Sequence, residues 1–343
     1  GHPYGHPGGG TAEGLRAITP ADCSTHAARV FGRARLTIGL AGGHPDDLGT
    51  RLRDALARLP LGDAPSEALP PPPEAEGQPA NVLIVEKDTG ATAISMGHPY
   101  ALRRGHPDYY PMMIAASALG EHRQFHGRLF QELRAKRGLN YGDYAYIESF
   151  EQEGWSRLGV TNAPRRQQHF SIWIRPVESA NRLFALHAAL YELDRLVRSG
   201  LTEQEVEGTK NFLAGYTMLW SATDSRRLGY ALDDNFYGNA APGHLDGLRA
   251  ALASITRAEV NDAIRRWLDP SKLRIAIVTA DAASLREQLA AGAPAPIAYP
   301  TPKPPEVLEA DKAIAAYPLK IASDKIAIVP VGKLFETAKL PVQ

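Results

Sequence analysis

Between Arg128 and Phe150 the chain reads RLFQELRAKRGLNYGDYAYIESF, which gathers guanidinium and phenol groups around one glycine. A basic amphipathic helix is expected up to Gly138, and Tyr141, Tyr144 and Tyr146 follow within six residues. Arginine carries five N–H donors in a fixed fork, and tyrosine adds a hydroxyl that can donate or accept. Such a turn could hold an oxygen that carries negative charge. By spacing alone, the plainer reading makes Arg134 a solvated helix residue and has Tyr141 pack a strand end. A second pair, His122 and His126, has the four-residue separation of two metal ligands on one helix face. Arg123, Gln124 and Phe125 lie between them, so no internal carboxylate can act as a base. Glu121 adjoins His122 too closely in sequence for easy co-ligation. Two histidines without a third ligand make a poor zinc site, so these two read as a polar entry to the following helix.

Other motif chemistry is thin. Gly-His-Pro recurs at Gly1, Gly5, Gly43, Gly97 and Gly105 and reads as turns, each with a proline restricting the residue before it. The chain has no Walker loop, dinucleotide-binding glycine fingerprint or Gly-x-Ser-x-Gly. The stretch RRQQHFSIWIR is basic, but 38 Lys plus Arg balance 38 Asp plus Glu, which argues against a nucleic-acid or membrane-surface partner. No run approaches the roughly 18 apolar residues of a membrane span. Hydrophobic residues at 44% and charged residues at 22% are those of a globular protein. Cys23 is the single cysteine, so an internal disulfide is excluded and the compartment is left open.

The elements that would position these residues follow from periodicity. NVLIVEKDTGATAISMG places two apolar runs around Asp88-Thr89-Gly90, a hairpin signal. Pro111 to Leu119 is apolar and helical. From Tyr141 to Ile147 the chain alternates, with Tyr144 and Tyr146 on one face and Ala145 and Ile147 on the other. WSRLGVT and QHFSIWIRP are further strand candidates. SANRLFALHAALYELDRLVRSG is an amphipathic helix stopped by Gly200, and Thr202 with Glu205 forms a capping-box pattern for the next helix. Strands followed by helices imply an α+β fold with helices layered on a mainly antiparallel sheet.

Ile18 to Gly42 aligns without a gap on Ile255 to Thr279. Ile18, Thr19, Ala21, Arg29, Leu36 and Ile38 recur as Ile255, Thr256, Ala258, Arg266, Leu273 and Ile275, while Asp22 and Arg35 become Glu259 and Lys272. Each copy reads as a capped helix, a turn, an apolar strand and another helix. This internal repeat implies two similar halves, the first truncated at its front by about the 150 residues of a typical domain. The organisation expected is a first-half remnant over 1–61, a Pro-rich linker over 62–80, a second half over 81–290, and a Pro-rich segment with a C-terminal tail over 291–343.

GRLFQELRAKRGLNY, the capping box at Gly200 to Glu205 and the duplicated helix–strand–helix together resemble the insulinase or pitrilysin type of zinc metallopeptidase, the family of mitochondrial processing peptidase. The resemblance spans Gly1 to Leu61 as the end of a first half and Asn81 to about Leu289 as a second, inactive-type half. It implies a clam-like chamber that cleaves peptides or unfolded segments. The family's zinc motif, His-x-x-Glu-His, belongs to the first half and does not occur in this chain. Zinc is therefore expected in the complete enzyme or a partner chain, with none bound by this chain alone. The partner expected is the missing N-terminal half or a zinc-bearing homologous subunit. Arg134 and Tyr141 match the family's Arg and Tyr, which sit seven residues apart and hold the substrate carbonyl. In this reading Gly138 turns the chain back, so that both groups stabilise the charge developing on one oxygen. Asn140 before the tyrosine and Gly142-Asp143 after it depart from the family pattern. The alternative role is that of a non-catalytic partner or a structural core subunit.

Overall fold

The computed structural model describes residues 3–59, 61–62, 81–239 and 241–337. Apart from Gly62, the expected linker lies outside them, as do the last six residues of the expected tail. In chain order the elements are helices α1 (Ala12–Ala17), α2 (Pro20–Val30) and α3 (Leu48–Ala57), strands β1 (Asn81–Glu86) and β2 (Ala91–Tyr100), helix α4 (Tyr109–Gly120), strands β3 (Asp143–Tyr146) and β4 (Gln168–Glu178), helices α5 (Arg182–Ser199), α6 (Glu203–Trp220), α7 (Asp224–Tyr237), α8 (His244–Ser254) and α9 (Arg257–Trp267), strand β5 (Arg274–Thr279), helices α10 (Ala282–Ala291) and α11 (Pro305–Ala315), and strand β6 (Ile326–Pro330).

The six strands form one sheet in the order β3-β4-β2-β5-β1-β6. β3, β4, β2 and β5 pair antiparallel, whereas β5–β1 and β1–β6 are parallel. The hairpin expected at Asp88-Thr89-Gly90 is not formed: β5 enters between β1 and β2, pairing Ile277 with Ile84 on one edge and with Ile94 on the other. A turn signal reports only that the chain reverses, and the apolar edges of β1 and β2 are both satisfied by a strand from far down the chain. β6 pairs with β1, so part of the segment that reads as a tail belongs to the sheet. WSRLGVT does not form a strand and contributes only the isolated bridge between Gln152 and Gly159.

Alternation sets the two faces. Val82, Ile84, Ile94, Met96, Ile172, Ile275 and Ile277 are buried under the helices, with Phe184, Leu186 and Ile264 among the side chains facing them in one core. Ser95 and Ala276 on the opposite face are exposed. Gly200 ends α5 with φ 69°, and Thr202 and Glu205 complete the capping box that opens α6. Among the described residues no helix is long and apolar enough to cross a membrane.

The repeat is realised locally but not in tertiary structure. Thr19 with Asp22 and Thr256 with Glu259 form matching capping boxes on α2 and α9. β5, in the second copy, is a central strand. Its counterpart, Leu36 to Leu40, pairs with no strand and forms no second sheet among the described residues. Exposure follows: Leu36, Ile38 and Leu40 are 46%, 42% and 37% exposed, against 1%, 3% and 1% for Leu273, Ile275 and Ile277. None of α1 to α3 buries a residue. Ile275→Ala is expected to destabilise the chain by about 2–5 kcal/mol in urea denaturation, as buried Ile truncations do. Ile38→Ala, at the equivalent position, should cost less than about 0.5 kcal/mol. Equal losses would show that the first copy is packed as tightly as the second.

Candidate functional site

The turn begins with a short π-helical segment, Phe130–Ala135, in place of the regular helix expected. π-Bulges of this kind are frequent at functional sites. Gly138 closes it at φ 71°, a left-handed conformation costly for any residue with a Cβ. The Gly138 N–H donates to the Arg134 carbonyl at 2.8 Å and the Leu139 N–H to the Leu133 carbonyl at 3.0 Å. This reversal returns Tyr141 to Arg134. The guanidinium lies over the Tyr141 ring at 4.7 Å and the Phe130 ring at 4.9 Å, and Nη1 donates to the Tyr141 carbonyl at 3.1 Å. Tyr141 is 82% exposed. Among the described residues no carboxylate forms an ion pair with Arg134.

The departures from the family pattern lock the turn. Asn140 Nδ2 donates to Asp143 Oδ1 at 2.6 Å and to the Arg175 carbonyl at 3.2 Å. Burial pushes the Asp143 carboxyl up to about 7, against the opposing pull of the Asn140 hydrogen bond and the Arg134 charge.

Beneath the turn, Arg137 is fully buried. Its Nε donates to Asp311 Oδ1 at 2.7 Å, and its Nη1 donates to Glu132 Oε2 at 2.9 Å and to the Glu132 carbonyl at 2.7 Å. Tyr299 donates to the other Asp311 oxygen at 2.8 Å. Burial alone would raise the Glu132 carboxyl, but hydrogen bonds from Lys136 and Arg137 outweigh it and hold the group below its ordinary value. α11 is thereby fastened under the segment that presents Arg134. At the other end of the turn, Arg128 donates to both Glu205 oxygens at 2.6 and 2.9 Å and to the Gly200 carbonyl at 3.0 Å. Burial works against the Glu205 carboxylate, yet Arg128 and Thr202 hold it down to about 2. The sequence reading missed these clamps, because a partner 174 residues away leaves no local signal.

His122 and His126 diverge. His122 Nδ1 is 2.7 Å from the Tyr146 hydroxyl in a cluster with Tyr144 and Phe150, and burial pushes its pKa down to about 4. The His126 ring lies 4.1 Å from the Phe212 ring of α6, tilted 44° to it, and 3.4 Å from the Ser117 hydroxyl. Among the described residues no three His, Cys, Asp or Glu side chains are grouped to hold a metal ion. His122 and His126, facing different neighbours, do not form a zinc site together.

Comparison with known proteins gives these arrangements a family context. Residues 17–213 match the model of the peptidase M16 inactive domain. A Helicobacter pylori protein, the non-peptidase homolog YmxG, is 25% identical over 271 residues, spanning 79% of this chain and 58% of the relative. An uncharacterized zinc protease of Mycobacterium tuberculosis is 26% identical over 232 residues, spanning 66% of this chain and 48% of the relative. The chain thus spans about half the length of these curated relatives. In fold it resembles a solved peptidase M16 inactive domain from Pseudomonas fluorescens, with a TM-score of 0.64 at 22% identity over 81% of this chain and 61% of that one.

Arg137→Ala should destabilise the chain by about 3–5 kcal/mol, since it strands two carboxylates in the interior. Denaturation of the corresponding Arg134→Ala variant, with a loss below about 1 kcal/mol, is the control. Glu205→Gln should cost about 1 kcal/mol at pH 7, after allowing for partial solvent screening of its bond to Arg128. Because the folded carboxyl titrates near 2, below its ordinary 4.5, that stability is fully present above 4.5 and is lost as pH falls through 2. Thermal melts of the two proteins should therefore converge at the acid end; a constant gap across pH would remove Glu205 ionisation from the account.

Proposed function

This chain belongs to the peptidase M16 inactive domain family, and from that premise we propose that it is the metal-free half of a peptidase chamber that grips a polypeptide substrate. Arg134 and Tyr141 are the gripping pair. The observation that carries this reading is their placement: a guanidinium over an exposed phenol ring, on a π-helical turn, with no carboxylate ion-paired to it among the described residues. A carbonyl oxygen entering from solvent can accept from the outward N–H groups of Arg134 and from the Tyr141 hydroxyl. Those donors strengthen their hold as the oxygen gains charge. Zinc belongs to the other half of the chamber, supplied by the same polypeptide or by a homologous subunit. Relatives named as zinc proteases support this reading.

A second reading, a non-catalytic subunit, is favoured by the contact between Arg134 Nη1 and the Tyr141 carbonyl, which occupies one donor with the chain's own backbone. The Helicobacter relative named a non-peptidase homolog agrees with it.

Activity of the complete protein or complex separates the two. Arg134→Ala and Tyr141→Phe should lower kcat on the order of 10²-fold or more, as loss of one oxyanion donor does, with thermal stability retained. Tyr144→Phe is the control, because Tyr144 is buried in the aromatic cluster beside His122. Full activity of both site variants would leave the structural subunit as the better account.

A further inference from the structure

Asn140 and Asp143 depart from the family pattern, and the gripping role leaves them without a task of their own. Asp143 opens β3 and is 1% exposed, although it bears a carboxyl. Its Oδ1 accepts from Asn140 Nδ2 at 2.6 Å, and the same Nδ2 donates to the Arg175 carbonyl at 3.2 Å. Those two bonds use both amide hydrogens of Asn140. The other polar atoms of the contact, Asp143 Oδ2 and Asn140 Oδ1, are buried and have no donor. Buried polar atoms are normally paired, so two unmet acceptors on two bonded side chains need an explanation. A proton on Asp143 Oδ2 turns that atom from an acceptor into a donor, and Asn140 Oδ1 is an acceptor in want of one.

The surroundings favour that proton. β3 is packed against the π-helical segment, β4 and α4. From the π-helical segment Arg134 acts on Asp143 through space, with no ion pair between them among the described residues. From β4, Arg175 gives its carbonyl to Asn140 and lays its guanidinium over the Tyr144 ring at 5.6 Å. α4 meets the Asp143 backbone with Gly120, and the carboxyl of the neighbouring Glu121 is turned to Ser117. Burial is thus the largest influence on Asp143 and holds its carboxyl up at about 7, with the Asn140 bond and then Arg134 pulling the other way. Arg134 is also the group that faces the substrate oxygen in the gripping role. Ionising Asp143 sets a competing anion in the field of that guanidinium, and charges in a poorly hydrated interior act over several ångström.

We propose that Asp143 is a proton-controlled latch on the gripping turn. As the acid it pairs with the Asn140 amide and leaves the Arg134 charge to an incoming oxygen. As the carboxylate it draws that charge inward. It acts through Arg134 and is a positioning residue. The protonation stands on the buried contact alone; its effect on a substrate rests on the function proposed above.

Two measurements on the chain itself test the protonation. Carbon-13 NMR of the Asp143 carboxyl should give a titration midpoint near 7. A midpoint below about 5, in the range of ordinary carboxyls, would overturn the latch. Thermal melts read the same proton by linkage. The folded carboxyl titrates above its ordinary 3.8, so its stabilisation is full below 3.8 and is lost as pH rises to about 7. Asp143→Asn carries an amide donor at every pH. Its Tm should therefore climb relative to the wild type across that window and keep a constant lead above it. A difference that does not change with pH would count against the latch. Activity of the complete protein or complex tests the coupling. The ratio of kcat/KM in Asp143→Asn to that in the wild type should rise about 5-fold or more from pH 6 to pH 8, since only the wild type gains the competing anion. In an Arg134→Ala background the ratio should stay flat. A flat ratio in the parent protein, or a rise that survives loss of Arg134, sinks the coupling. If Asp143→Asn fails to fold, the NMR midpoint of the wild type still decides. Failure of the gripping role itself would appear as full activity of Arg134→Ala at pH 6, whereas failure of the latch alone leaves that variant impaired.

Discussion

β5 holds the molecule together, because it alone joins the antiparallel and the parallel parts of the sheet. Its residues pair with β2 on one edge and β1 on the other, so the two strands nearest each other in sequence are kept one strand apart in space. Removing it would expose the inner edges of both and the apolar face built from Ile84, Ile94, Ile275 and Ile277. The strand's end is pinned as well: Thr279 is 2.6 Å from Thr92, and Arg182 at the start of α5 donates to Thr279 and to the Ala280 carbonyl. The five helices between β4 and β5 in sequence separate β5 from its partners, so its pairing is a long-range demand that local contacts cannot meet.

From that frame, ion pairs transmit rigidity to the surface turn. Arg137 cannot leave its two carboxylates without stranding charge in the interior, so α11 and the π-helical segment are fixed relative to each other. Arg128 does the same between the front of the turn and the capping box of α6. Arg134 and Tyr141 then project from a base whose geometry is held on two sides. In the gripping role proposed for them, donors held in this way would need little reorganisation.

Charge in the interior is unevenly shared, and the unevenness is localised. Near the turn, arginines and carboxylates pair closely. Behind β3, the Glu148 and Asp233 carboxylates share the Arg104 guanidinium, and Asp233 Oδ1 and His244 Nδ1 are buried without partners.

Local chemistry was legible in the sequence. The capping boxes at Thr19, Thr202 and Thr256, the reversal at Gly138, the meeting of Arg134 with Tyr141 and the helical face of α5 all depend on residues within a few positions of one another. The internal repeat was legible too, since aligned residue types record shared local structure. Strand order was not. Asp88-Thr89-Gly90 marks a reversal whichever strand lies alongside, and nothing in NVLIVE or ATAISM names β5 as the neighbour of both. The fates of the two repeat copies were equally hidden: Ile38 and Ile275 are the same residue in the same pattern, and only the presence of flanking strands buries one and leaves the other exposed. The Arg137–Asp311 clamp and the burial of Asp233 and His244 behind β3 were decided by tertiary structure alone, because charge pairing and desolvation depend on distance in space, and sequence separation carries no record of it.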